Sequence, residues 1–229
     1  MTAAPPTRTA HHALILADGA RPDRLALARS WPGWDTGIDL VIAADGGARH
    51  ATVLDRSIDL WVGDGDSLGP GDLDRLRASG VPIELAATAK NESDTELAII
   101  AAVGAGATRL TILGALGGPR IDHALANVWL LAHDRLAGRE ACLLDEHARV
   151  RLLSSGRHDL GGRIGDVVSL FPFDGATEGI TTHGLRYPLV DEPLRAGPAR
   201  GLSNVRDAPD AWISFRAGRV LVVEIAATL

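Results

Sequence analysis

Asp39–Gly47 reads DLVIAADGG, an apolar run closed at once by Asp-Gly-Gly. A continuous apolar run of this kind suits a strand buried on both faces, as in a parallel sheet. The pattern recurs along the first half of the chain. HALILADG (His12–Gly19), DLWVGDGDS (Asp59–Ser67) and LTILGALGG (Leu110–Gly118) are each a short apolar run ended by Gly or Asp-Gly. Helix-like segments at Asp23–Arg29, Asp72–Ser79 and Thr95–Val103 alternate with these runs. Such alternation predicts an α/β layer fold around a parallel sheet. Ligands of open α/β sheets bind outside the carboxyl ends of the strands, which is where Asp18, Asp45, Asp64 and Asp66 fall.

Further along, Asp122–Leu136 reads as the clearest helix, with Leu125, Trp129, Ala132 and Leu136 as its buried stripe and Gly138 as its stop. After about residue 140 the texture changes. ACLLD, ARVRLL, DVVSLFPF, ITTHGL, AWISF and RVLVVEI are short strand-like runs separated by Gly, Pro and Asp. SFRAGRVLVVEI reads as a hairpin around Ala217-Gly218. The expectation is an α/β domain over 12–145 and a smaller all-β, sandwich-like domain over 146–229.

Bulk properties narrow the function. The 229 residues are ample for a sizeable core, and with aromatics at 4% that core rests on Ala, Val, Leu and Ile. A net charge of −6 offers no basic footprint for nucleic acid. One cysteine, Cys142, rules out an internal disulfide and fits a reducing, cytoplasmic setting. No apolar run reaches the ~18 residues of a spanning helix, so no membrane partner is expected. MTAAPPTRTAHH lacks an apolar signal core and reads as a short disordered tail.

Three stretches carry candidate chemistry. In GDGDS (Gly63–Ser67), Asp64 and Asp66 aim at one point if the backbone is extended. Two carboxylates at one point repel unless a cation lies between them, which suits Mg²⁺; the other reading is a polar turn. An EF-hand is excluded, because Leu68 and Arg75 stand where ligands are required. In KNESDTELAII, Ser93 and Glu96 form a capping-box pattern and Asp94 lies in the first turn of a helix. There it is either a helix-start residue or a metal ligand beside the sheet's end. In GALGGPRIDHALAN, Gly114, Gly117 and Gly118 precede Arg120, a fork suited to phosphate. Asp122 reads as a helix N-cap, and His123 with Asn127 reads as a solvated pair or part of a site. Neither a P-loop nor a dinucleotide fingerprint is present.

Taken in order, ADGGA (Ala44–Ala48), GDGDS, SDTELA (Ser93–Ala98), GALGG…RIDHALAN (Gly114–Asn127), GLRYPL (Gly184–Leu189) and LSN (Leu202–Asn204) resemble the thiamine pyrophosphokinases over about residues 40–205. The resemblance implies pyrophosphoryl transfer from ATP to the hydroxyl of thiamine, giving thiamine diphosphate and AMP. It implies a homodimer with sites at the subunit interface. It implies that Asp64, Asp66 and Asp94 hold Mg²⁺, and that Asp94 or Asp122 takes the hydroxyl proton. Asp45, Gly46 and Gly47, with Gly117, Gly118, Arg120, Asp122 and His123, would line the ATP pocket. Ser203, Asn204 and Tyr187 would meet thiamine. The chain departs from the usual pattern at Gly65 (commonly Phe), Asn91 (Asp), Pro119 (an added residue), Tyr187 (Trp) and Val205 (Glu). The last two motivate another acceptor or a nucleotide hydrolase; a non-catalytic nucleotide sensor is a further alternative, against which the retained Asp64, Asp66, Asp94 and Asp122 argue.

Overall fold

The structure, a computed structural model, describes residues 11–227. Residues 1–10 of the expected tail lie outside that range, whereas His12 is no tail residue: it opens the first strand and is buried. The chain divides into two compact units. One comprises the residues to Leu27 with Gly33–Asp145, the other Ala28–Pro32 with Glu146 onward.

In the first unit the predicted apolar runs become β1 (His12–Leu16), β2 (Leu40–Ala44), β3 (Leu60–Gly63) and β5 (Arg109–Leu113). Two further strands, β4 (Ile83–Leu85) and β6 (Glu140–Leu144), complete the sheet. All pairings are parallel, in the order β6-β5-β1-β2-β3-β4. β1, β2 and β3 are buried along their whole length, which is why their sequences are continuously apolar rather than alternating. β6 corresponds to ACLLD, which by texture belonged with the later strands but pairs parallel with β5.

Five helices connect these strands: α1 (Arg24–Ser30), α2 (Ala48–Val53), α3 (Asp72–Ala78), α4 (Asp94–Gly104) and α5 (Ile121–Leu130). Along the sheet the chain steps outward from β1 to β4, then returns to the other side of β1 for β5 and β6. Such a reversal opens a crevice above the strand ends. α4 packs over β1, β2 and β3 through Ala98, Ile99 and Ala102. Ser93 caps it, accepting from the Glu96 N–H at 3.2 Å. The Glu96 carboxylate does not complete the box but lies 3.4 Å from His133.

The helix expected over 122–136 is shorter and turned the other way. α5 ends at Leu130, and a separate 3-10 turn covers Asp134–Leu136. Leu125 and Trp129 are not buried; with Ile121 they form an exposed apolar row, 72, 52 and 62% accessible at positions 121, 125 and 129. The buried residue of α5 is Asn127. Of the expected stripe, Ala132 and Leu136 lie beyond α5 and only Leu136 is buried; periodicity does not say which side of a helix meets the sheet.

The second unit contains β7 (Ala148–Asp159), β8 (Val167–Pro172), β9 (Ala176–His183), β10 (Glu192–Arg195), β11 (Asn204–Val205) and β12 (Trp212–Ile225). β12 is one long strand, not a hairpin. It stays antiparallel to β7 throughout, with a register break between Phe215 and Arg219 where Gly218 takes φ 88°. A positive-φ glycine serves a bulge as well as a turn, and here the chain bulges and continues. Before the bulge β12 pairs with β9, and after it with β8. The core includes Val168, Leu170, Ile180, Leu194, Ile213, Phe215, Val220 and Val222. Among the described residues no helix is long and apolar enough to cross a membrane.

Candidate active site

Three acidic strand ends converge. Carboxylate oxygens of Asp45, Asp64 and Asp66 all lie within 4.8 Å of one another. β2 runs straight into a 3-10 turn, Asp45–Gly47, that leads into α2. Asp45 sits there at φ 45°, a left-handed conformation that Asp tolerates better than most residues, at a cost of order 1 kcal/mol. The fully buried Trp61 holds the turn from β3, its Nε1 donating to the Asp45 carbonyl at 3.0 Å. Close approach accounts for the glycines that follow: a Cβ on Gly46 would strike the Asp18 side-chain carboxylate, and one on Gly47 the Leu16 backbone carbonyl.

Asp64 and Asp66 meet through a turn rather than an extended segment. Gly65 adopts φ 84°, and the Asp66 N–H donates to Asp64 Oδ1 at 3.1 Å. The Ser67 N–H donates to Asp45 Oδ2 at 3.0 Å and ties this turn to the end of β2. The polar turn is present, and with Asp45 it gathers the carboxylates whose cation reading belongs to the proposed function. A Cβ at Gly65 would meet nothing within 4 Å, so only its backbone conformation calls for glycine.

The cluster is uncompensated on its buried side. Asp45 is 2% exposed, and its Oδ1 is buried without a hydrogen-bond partner. Burial pushes its carboxyl above the usual range; hydrogen bonds from Ser67 oppose this, and the charge of Asp94 adds to it. A buried orphan carboxylate oxygen is costly unless something positive meets it. The donor set is all oxygen, which fits a hard divalent ion such as Mg²⁺. Asp64 is held below the usual range, first by the Asp66 backbone N–H and, against some burial, by Lys90.

Asp94 stands apart from this trio. Its Oδ1 accepts from the Lys90 ammonium at 2.7 Å, and the same ammonium is 3.6 Å from Asp64 Oδ2. Lys90 was not picked out from the sequence, although a single lysine four residues ahead of Asp94 in an acidic run was the available signal. Burial disfavours its charge, but Asp94 and Asp64 outweigh that and hold it above the ordinary lysine range. Arg49 likewise went unmarked. It pairs with Asp18 at 2.5 Å and donates to the Ser67 carbonyl at 2.8 Å.

At the end of β5 the Gly19 N–H donates to the Gly114 carbonyl at 2.7 Å, joining the loops that follow β1 and β5. Gly117 and Gly118 take φ 71° and 80°. Arg120 grips Asp122 with two bonds of 2.9 and 2.6 Å, which holds the Asp122 carboxyl well below the usual range. Both side chains are exposed. Asp122 is not the N-cap; Arg120 occupies that position without a side-chain bond, and Asp122 lies in the first turn. His123 is exposed, while Asn127 is buried and donates from Nδ2 to the Ala115 carbonyl at 2.9 Å. Asn127 therefore fastens α5 to the glycine loop rather than facing solvent.

In the second unit, Asn204 Oδ1 accepts from the backbone of Tyr187 at 3.0 Å and of Val205 at 2.9 Å, and its Nδ2 donates to the Tyr187 carbonyl at 2.7 Å. Its amide is thus committed to fixing Tyr187, whose side chain is 58% exposed. Ser203, at φ 57°, is held by a bond from its N–H to Ser169 Oγ.

A parallel α/β unit with an oxygen cluster at its carboxyl edge, joined to an all-β unit, defines a class of two-part proteins, and known relatives narrow it further. Residues 34–143 match the family described as thiamin pyrophosphokinase, catalytic domain, and residues 157–220 match thiamin pyrophosphokinase, vitamin B1 binding domain. The thiamine pyrophosphokinase of Bacillus subtilis is 24% identical over 162 residues, 70% of this chain and 75% of that one. Its crystal structure superposes with a TM-score of 0.80 at 22% identity, covering 95% of this chain and all of that one. A thiamin pyrophosphokinase family protein from Enterococcus faecalis gives 0.79 at 26% identity, over 94% of this chain and 99% of that one. The enzyme from Candida albicans gives 0.74 at 14%, over 99% and 95%. The chain belongs to the thiamin pyrophosphokinase family.

Proposed function

We propose that this protein transfers a pyrophosphoryl group from ATP to the hydroxyl of thiamine, releasing thiamine diphosphate and AMP. The observation that carries the chemistry is the convergence of Asp45, Asp64 and Asp66, together with a buried Oδ1 of Asp45 that has no hydrogen-bond partner. Family membership over both units supports the substrates. The α/β unit over 12–145 takes ATP and the metal; the β-rich unit over 146–229 takes thiamine.

The thiamine oxygen attacks the β-phosphorus, the bond from that phosphorus to the bridging oxygen breaks, and AMP leaves with that oxygen. Mg²⁺, held by Asp45, Asp64 and Asp66 with Asp94 nearby, would screen phosphate charge on both sides of the broken bond. Asp45 thereby moves from the ATP-lining set to the metal set. Gly46, Gly47, Gly117 and Gly118 let the backbone approach phosphates, with Arg120 and His123 at the rim of that loop. Asp94 or Asp122 takes the hydroxyl proton; Asp122 is a poor base while Arg120 grips it, and Asp94 is held by Lys90. On the thiamine side Tyr187 presents its ring, Asn204 holds the Tyr187 backbone, and Ser203 lies beside Asn204 as a further thiamine contact.

The exposed row Ile121, Leu125 and Trp129 supports a homodimer, since a soluble chain seldom leaves such a row uncovered. The single Cys142 suits a cytoplasmic enzyme. The test is an assay with ATP and Mg²⁺, with and without thiamine. AMP formed only with thiamine is expected; AMP or ADP formed without it would point to hydrolysis, and nucleotide binding without turnover to a sensor.

A further inference from the structure

Lys90 occupies an unusual position for a cation. Its ammonium lies between Asp64, which hangs from the end of β3, and Asp94, which opens α4. The Lys90 side chain is 13% exposed and that of Asp64 8%, so this is no solvated surface pair of negligible weight. Asp45 and Asp66, by contrast, form no ion pair among the described residues. The acidic site is therefore already part-neutralised on its Asp94 side and uncompensated on its Asp45 side.

A charge argument follows. A metal ion bridging Asp64 to Asp94 would have to displace an ammonium that balances both, whereas on Asp45, Asp64 and Asp66 it meets that ammonium only at Asp64, 3.6 Å away. Once a triphosphate joins the metal, the site gains more negative charge than one divalent ion cancels, beside carboxylates that repel it. It then needs a mobile cation. Arg49 is paired with Asp18 and Arg120 with Asp122, whereas Lys90 already sits on a carboxylate of the cluster itself. Lys90, a point charge on a flexible stem, is the group able to change partners.

We propose that Lys90 is a polyphosphate-binding residue parked on Asp64 and Asp94. When metal and nucleotide settle on Asp45, Asp64 and Asp66, the ammonium leaves Asp64 and pairs with a phosphate oxygen of the donor. In the free protein the same residue competes with the metal. This rests on the nucleotide-and-metal part of the proposed function but not on the identity of the acceptor.

The two roles give opposite signs in one variant. In Lys90→Met, Mn²⁺ binding to the nucleotide-free protein, read by electron paramagnetic resonance, should tighten by about tenfold as the competing charge is lost. Mg·ATP binding, read by calorimetry, should weaken by about tenfold or more. Lys90→Arg should recover much of the ATP binding. Lys90→Gln keeps a hydrogen bond to Asp94 and carries the same test if the methionine variant does not fold. A merely structural lysine would weaken both ligands together; that result, or unchanged ATP binding, overturns the proposal. If the unmodified protein binds Mn²⁺ and ATP but makes no thiamine-dependent AMP, the acceptor assignment fails while the Lys90 result stands.

Discussion

Asp66 is an exposed residue whose carboxylate joins the cluster without supporting the core. Asp66→Asn should therefore separate chemistry from folding. Turnover is expected to fall more than about a hundredfold as an oxygen ligand is lost. The melting temperature should hardly move, because exposed substitutions of this sort usually stay within about 0.5 kcal/mol. Kinetics beside a thermal melt check this, and near-normal activity would remove Asp66 from the metal set. Asn204 illustrates the other kind of site residue. All its observed bonds go to backbone, two of its three to Tyr187, so it shapes the site through its neighbour.

On the scale of an element, α5 carries the consequence. Its polar residue, Asn127, faces inward to the glycine loop, and its apolar row faces out. For an isolated chain that arrangement wastes apolar surface; for a dimer it provides an interface. If the proposed homodimer forms through this row, the unmodified protein is a dimer in light scattering and Leu125→Glu a monomer, with its far-ultraviolet helical signal retained; a monomeric unmodified protein overturns the dimer. An unchanged dimer would place the interface on another surface. β12 makes the parallel point for strands. One bulge at Gly218 lets a single strand serve β9 and then β8, which two short strands and a hairpin would not do.

For the molecule as a whole, the most deeply buried charge is structural. Glu224, 1% exposed, accepts from Arg149 at 2.7 Å, Arg151 at 3.0 Å and the Gly161 N–H at 2.6 Å. Burial would raise its carboxyl, but the two arginines and the Gly161 N–H outweigh burial and hold it below the usual range. The sign follows from linkage. A carboxyl depressed in the folded state contributes its stability above its unfolded pKa of about 4.3, and loses it as pH falls through the lower folded value. Glu224→Gln should cost about 3 kcal/mol near pH 7 by removing the buried carboxylate charge that Arg149 and Arg151 share. That deficit should shrink below about pH 4, where the parent loses the same charge. Denaturant melts at two pH values test this, and a deficit independent of pH would mean that packing, not charge, is lost.

The sequence by itself determined the parallel α/β unit, because strands buried on both faces must be continuously apolar and those runs end in Asp and Gly. It also determined the acidic strand ends, since strand polarity puts Asp45, Asp64 and Asp66 on the same edge once the sheet is parallel. Only the tertiary structure decided which carboxylates share a point. That depended on the left-handed turn at Asp45, the Gly65 turn and the Ser67 bond, contacts between residues about twenty apart in the chain. It alone showed Lys90 between two carboxylates, since neither residue type nor spacing reveals which of several acids a flexible lysine will choose. And it alone turned α5, because a helical stripe has the same period whether it meets its own sheet or is left for another molecule.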